Sequence, residues 1–270
     1  MVAVTSTAAP ADLLEVAVRH AQRAAASLVE GLSRQRSMVG HKSSPTDMVT
    51  EMDREVERQI VEGILRERPG DAVLGEEGAR RDGNSGVRWI IDPLDGTTNY
   101  LYGHPGFAVS IATEVGGAVV AGVVVDPLHG DVFTAVRGGG AHRNGEEIRV
   151  SEETDLSRAL LATGFGYDRD RRVRQARVLV DVLGQVRDIR RMGAASVDLC
   201  SVACGRVDGY WEAGLQPWDF AAGALIASEA GAVVGDLAGG PPSTTFTLAA
   251  PPALFDSLRA VLAGAAADQV

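Results

Sequence analysis

Two hydrophobic periods run along this chain, and the points where one gives way to the other delimit its elements. Leu13, Leu14, Ala17, Ala21, Ala24, Leu28 and Leu32 fall on one helical stripe, predicting a helix over Ala11–Leu32. A polar stretch, Ser33–Ser44, breaks that stripe, and Lys42–Asp47 reads as a loop. A second helix is predicted from Thr50 to about Arg66, ended by Pro69-Gly70. Ala72–Leu74 is a short strand running into Gly75-Glu76-Glu77. The charged, glycine-containing stretch Ala79–Gly86 is expected to be a mobile loop. Trp89, Ile90 and Ile91 form a buried strand expected to end at Asp92, with Pro93 halting its ladder. Gly106–Val115 and Ala118–Val125 make a hairpin about Gly116-Gly117, and Asp131–Val136 is a further strand. Gly138–Gly140 and Asn144-Gly145 mark turns.

Beyond Ser157 the pattern changes to alternating strands and helices. Strands are predicted at Ala159–Thr163, Arg187–Arg190, Val207–Glu212, Ala232–Val234 and Phe246–Ala249. Helices are predicted at Arg169–Leu183, Ala194–Ala203, Trp218–Ala230 and Pro251–Leu262. Arg169, Arg171, Arg172, Arg174 and Arg177 are expected on the exposed side of their helix. The change of style predicts a mixed subdomain over 1–150 and an α/β subdomain over 151–270. No repeat or linker separates them.

A chain of 270 residues can bury a substantial core. Its 36 acidic and 26 basic residues give a formal charge of −10, against a large nucleic-acid footprint or an anionic membrane surface. An anionic substrate is still allowed, because bound cations reverse the local field. The start lacks a signal-peptide pattern, and no apolar run has the length of a membrane span. The two cysteines, Cys200 and Cys204, lie in an apolar helical pattern and read as reduced core thiols. The expectation is a cytoplasmic protein.

The candidate chemistry centres on Asp92-Pro93-Leu94-Asp95-Gly96-Thr97-Thr98-Asn99. Two carboxylates three residues apart are presented on a sharply bent backbone. Mg²⁺ is held by such oxygens jointly with water and phosphate. The following Gly-Thr amides can hold a phosphate oxygen. Asp53, Glu76 and Asp219 also sit at element ends or turns. Each has a structural reading too. Asp53 has capping-box spacing from Thr50, Glu76-Glu77 can be a solvated turn, and Asp219 can cap the helix starting near Pro217. Taken together they suit a two-metal site, which needs several acids and at least one shared between ions.

These residues resemble the signatures of the inositol monophosphatase family. Asp92–Asn99 resembles the first signature, and Trp218-Asp219 with Ala221–Gly223 and Glu229–Gly231 the second. Lys42–Asp47 with Val49-Thr50 and Asp53, Gly75-Glu76-Glu77, and Gly193-Ala194-Ala195 resemble three further family segments. The texture is most similar to the bacterial extragenic-suppressor branch. The resemblance implies an α/β fold, a layered α-β-α-β-α sandwich, and lithium-sensitive phosphomonoester hydrolysis with two to three Mg²⁺ ions. It implies metal ligation by Glu76, Asp92, the Leu94 carbonyl, Asp95 and Asp219. Asp53 and Thr97 would orient the attacking water, with Glu76 also catalytic. Asp95, Gly96, Thr97, Gly193, Ala194, Ala195, Glu212 and Asp219 would contact substrate, supported by Lys42, Asp47 and Glu77. A small phosphorylated polyol and a homodimer are the implied partners.

Ala194 departs from the family's hydroxyl residue, which puts inositol specificity in doubt. Histidinol phosphate, fructose 1,6-bisphosphate and adenosine 3′,5′-bisphosphate are family alternatives. Glu212 should disfavour a second phosphate by like-charge repulsion. A non-enzymatic alternative is a binding protein of the transcription machinery, using the Arg169–Arg177 face. His20, His41, His104, His129 and His142 lie outside these motifs and are read as structural or surface residues.

Overall fold

The computed structural model describes residues 9–32, 38–41 and 48–270, with the backbone alone at 38–41 and 48–50. Lys42 and Asp47 therefore lie outside the described residues. The chain opens with helix α1 (Pro10–Leu32), strands β1 (Met38–His41) and β2 (Met48–Thr50), and helix α2 (Glu51–Glu67). Strands β3 (Ala72–Gly75), β4 (Arg80–Arg81) and β5 (Val87–Asp95) lead into the short helix α3 (Thr97–Tyr102). Then come β6 (Ala108–Val115), β7 (Ala118–Asp126), β8 (Asp131–Val136), β9 (Ala141–Arg143) and β10 (Glu146–Ile148). The rest alternates: β11 (Leu160–Thr163), α4 (Arg169–Leu183), β12 (Asp188–Arg190), α5 (Ala195–Ala203), β13 (Gly209–Ala213) and α6 (Pro217–Glu229). It ends with β14 (Val233–Gly235), β15 (Phe246–Ala250) and α7 (Pro252–Gly264).

An eight-stranded sheet has the order β10-β9-β8-β7-β6-β5-β3-β4, and a five-stranded sheet the order β12-β11-β13-β15-β14. Helices α1 and α2 cover one face of the larger sheet, meeting β5, β6 and β7. The apolar stripe of α1 is what they bury: Leu13, Ala17, Ala21, Ala24 and Leu28 pack with Val56, Ile60 and Ile64 of α2 and with Trp89 and Ile91. Each such large side chain stabilises the fold by about 1.5–3 kcal/mol. Helices α5 and α6 fill the space between the sheets, touching β6 and β7 on one side and β13, β14 and β15 on the other. Helix α7 covers the outer face of the smaller sheet against β15, with α4 beside it. The layers thus run α-β-α-β-α. Among the described residues, no helix is long and apolar enough to cross a membrane.

Three local expectations are corrected. Strand β5 does not stop at Asp92 but continues to Asp95, paired antiparallel to β6 with a register shift between Asp92 and Asp95. Pro93 has no N–H to donate, so the strand bulges there instead of ending. The stretch Ala79–Gly86 is not all loop: Arg80 and Arg81 pair with β3, and the Ser85 hydroxyl donates to Asp71 at 2.6 Å. The turn at Asn144-Gly145 joins two short strands that the pattern did not predict, β9 and β10.

Asp71 ties this corner together. It is 1% exposed and accepts from the indole N–H of the fully buried Trp89 at 2.8 Å, from Ser85, and from the Arg68 guanidinium. Asp71→Ala would orphan the Trp89 donor and break a buried charged network, at a cost of about 3 kcal/mol. Urea unfolding of the two proteins measures it; a loss below ~1 kcal/mol would show the network to be dispensable.

Candidate active site

The bulge in β5 and the start of α3 build the first wall. Asp92 is buried, and its Oδ1 accepts from the Leu94 amide at 3.0 Å. This local bond holds the carboxylate against the bend that Pro93 creates. Gly96 follows with φ 88°, the left-handed region, and a Cβ there would lie 2.7 Å from the Gly106 carbonyl. Only glycine turns the chain here from strand to helix without strain. Thr97 then opens α3. Its hydroxyl lies 2.9 Å from Asp53 Oδ1 and 3.1 Å from the Leu94 carbonyl. Asp53 is fully buried on the inner face of α2 and meets the site through Thr97.

The remaining acids come from other layers. Glu76 follows β3, which runs parallel to β5 and so delivers its end to the same edge. The turn after it is clamped by Glu57 of α2, whose carboxylate accepts from the Glu77 and Ala79 amides at 2.8 and 3.0 Å. Asp219 lies in the first turn of α6, where its Oδ2 accepts from the Gln216 amide at 2.6 Å while the Gln216 side chain caps the helix. The capping and functional readings of Asp219 are therefore compatible. Asp95 Oδ2 accepts from both the amide and the hydroxyl of Ser196 at the start of α5, at 2.8 and 2.5 Å. Asn99 joins the same parts of the chain, donating to the carbonyls of Gly106 and Met192.

Glu76, Asp92, Leu94, Asp95, Gly96, Thr97, Gly193, Ala195, Glu212 and Asp219 all line one cavity of about 420 Å³. Ala194 is buried behind the wall, and Glu77 and Asp53 also stand outside the lining. None of the four histidines with described side chains lines the cavity. His20 instead pairs with Glu67 and His129 with Asp126.

Burial raises the carboxyl of Asp92 well above the ordinary range, and repulsion from Glu76, Asp95 and Asp219 adds to it. Asp219 is raised well above its usual value, first by burial and then by Glu76 and Asp95. Asp95 is pushed up to about 7 by burial, although the Ser196 bonds pull it down. Burial is the larger cause in each, and the crowding of like charges adds to it. The donor set is carboxylate oxygen, a hard set that fits Mg²⁺ better than softer metals. Among the described residues no three His, Cys, Asp or Glu side chains are drawn into a ready-made ligand cluster.

The opposite end of the cavity was only partly foreseen. Glu212 accepts from the Tyr210 hydroxyl at 2.7 Å, and its carboxyl is raised by burial but lowered by that bond and by Arg191 and Arg171. Arg171 belongs to the run expected on the exposed side of α4, yet it lines the cavity with its Nε buried and unpartnered. Gly214 makes this possible: its missing Cβ would lie 2.1 Å from an Arg171 nitrogen. Arg191 also lines the cavity and lies over the Phe165 ring, 5.8 Å from its centroid. Two residues beyond Ser196, Asp198 is 1% exposed with neither oxygen hydrogen-bonded, and burial followed by repulsion from Glu212 and Asp95 raises its carboxyl well above the usual range. Gly164, whose missing Cβ would lie 1.9 Å from Glu212, and Gly214 beside Arg171 were the signal available in the sequence. Ser196 and Glu57 gave none beyond their polarity in an apolar helical face.

Residues 9–269 match the sequence profile of the inositol monophosphatase family. An inositol-1-monophosphatase of Mycobacterium bovis is 45% identical over 274 residues, spanning 94% of each chain. Nus factor SuhB of Escherichia coli is 40% identical over 233 residues, 84% of this chain and 86% of that one. Among solved structures, the Thermotoga maritima IMPase superposes with a TM-score of 0.87 at 32% identity, covering 95% of this chain and 99% of that chain. The extragenic suppressor protein suhB of Bartonella henselae gives 0.86 at 39% identity, covering 93% and 98%. This chain belongs to the inositol monophosphatase family.

Proposed function

We propose that the protein is a Mg²⁺-dependent phosphomonoesterase acting on inositol monophosphate and related small polyol phosphates. The observation that carries this reading is the convergence of Glu76, Asp92, Asp95 and Asp219, from three distant stretches of chain, on one cavity beside the Thr97–Asp53 pair. Family membership and relatives named inositol-1-monophosphatase support it.

In this reading Glu76, Asp92, Asp95, Asp219 and the Leu94 carbonyl hold two to three Mg²⁺ ions. When bound, these ions would neutralise phosphoryl charge and ease the ionisation of a water. The chain's own residues do the rest. The Thr97 hydroxyl donates to Asp53, so its lone pairs are left to accept from a water and aim it at phosphorus. The Gly96 and Thr97 amides at the start of α3 receive phosphate oxygens. Glu212, with the backbone at Gly193 and Ala195, contacts the alcohol half. Arg171 and Arg191 share that end with Glu212, so repulsion of a second anionic group is weaker than Glu212 alone predicts.

A second reading rests on relatives named Nus factor SuhB in several bacteria. A transcription role would use an outer surface, and the exposed arginines of α4 are a candidate. Capture of RNA polymerase by the protein, lost on reversing those charges, tests it.

Asp95→Asn should reduce phosphate release from inositol monophosphate by at least about 100-fold. Its metal-free melting temperature should stay near that of the parent, because the change removes a repelled charge. A matching loss of stability would instead make Asp95 a structural residue.

The pH dependence has a defined sign. Asp92, Asp95 and Asp219 titrate higher when folded than the ~3.9 of an unfolded aspartate. As pH rises between those values, the unfolded chain sheds protons that the metal-free folded protein keeps, so this contribution to stability is lost. Mg²⁺ competes with the same protons. Added Mg²⁺ should therefore raise the melting temperature more at about pH 8 than at about pH 5. An equal shift at both would contradict the assignment.

A further inference from the structure

Helix α5 starts without a side-chain cap, because its N-cap residue is Ala194. The cap comes from another layer. Asp95 Oδ2 receives the Ser196 amide at 2.8 Å and the Ser196 hydroxyl at 2.5 Å. Ser196 is fully buried, so water does not compete for either bond. The family segment resembled by Gly193-Ala194-Ala195 carries its hydroxyl at position 194. In this chain that position is apolar, and a hydroxyl stands instead at 196, facing Asp95.

Two donors on a single carboxylate oxygen fix both the rotation of the side chain and the tilt of its plate. They leave Oδ1 as the oxygen free to turn toward the other acids. The amide alone would permit the plate to swing about one contact. Hydrogen bonds to a charged oxygen are the stronger kind. Groups that orient a metal ligand from behind typically change metal affinity 10–100-fold when removed.

We infer that Ser196 is a positioning residue, whose hydroxyl holds Asp95 with its second oxygen presented to a divalent cation and so strengthens cation binding. This deepens the function proposed above and rests on it. A merely structural serine would behave differently: losing its hydroxyl would weaken the start of α5 and leave cation affinity alone.

Ser201 supplies the control. It lies on the same helix, is also buried, and spends its hydroxyl on the Val197 carbonyl at 2.8 Å, with no bond to Asp95. The experiment titrates Mn²⁺ into the full chain, into Ser196→Ala and into Ser201→Ala, reading free Mn²⁺ by electron paramagnetic resonance. Ser196→Ala should bind Mn²⁺ about 10-fold more weakly or worse. Ser201→Ala should bind as the parent does, and both variants should stay folded without metal at the temperature of the titration. Unchanged binding by Ser196→Ala, or equal weakening in both variants, overturns the inference. Failure of the parent itself to bind Mn²⁺ would be a different result: it removes the proposed metal site, and this inference with it.

Discussion

Carboxylates crowded into one cavity are the constraint that the rest of the structure answers to. Asp92, Asp95 and Asp219 are pushed toward protonation by burial and then by repulsion from Glu76, with Asp95 adding to it for the other two. Left alone, such a group opposes folding. The fold offsets part of the cost by giving each aspartate a local donor: the Leu94 amide, the Ser196 amide and hydroxyl, and the Gln216 amide. Cations would offset the remainder, so the same feature that weakens the metal-free protein provides for its chemistry.

Delivering those acids requires every layer. The parallel pair β3 and β5 brings Glu76 and Asp92 to one sheet edge, and the bulge at Pro93 turns Asp95 toward α5. Helices α5 and α6, held between the two sheets, supply Ser196 and Asp219. Helix α2 contributes from behind, through Asp53 to Thr97 and through Glu57 to the turn after Glu76. The contacts Asp95–Ser196 and Asn99–Met192 cross between the sheets' own segments of chain at the site itself. Stability of the layered stack and geometry of the cavity therefore share residues.

Much of this is legible in the sequence, for local reasons. Pro93 and Asp95-Gly96 punctuate the chain, so a pair of acids on a bend could be read directly. The stripe on α1 and the glycine pair at 116 and 117 likewise have local causes. The expectation that β5 would stop failed because a proline that lacks a donor can be absorbed by a bulge. Short strands β9 and β10 were missed because three residues carry too little periodicity. Ser196, Glu57 and Arg171 were missed for another reason. Each acts through a partner far along the chain, and a single sequence shows spacing but not approach. Arg171 was placed outside because basic helix faces are usually solvated; Gly214 opens the gap that admits it.

The central claim is that these four acids hold divalent cations together. Crystals grown with Mn²⁺ test it most directly, because anomalous scattering locates the ion without assumptions about ligands. The account predicts anomalous peaks within coordination distance of Glu76, Asp92, Asp95 and Asp219, the ions lying ~3.5–4 Å apart. Peaks confined to the outer surface, with those carboxylates bound only to protein and water, would contradict it.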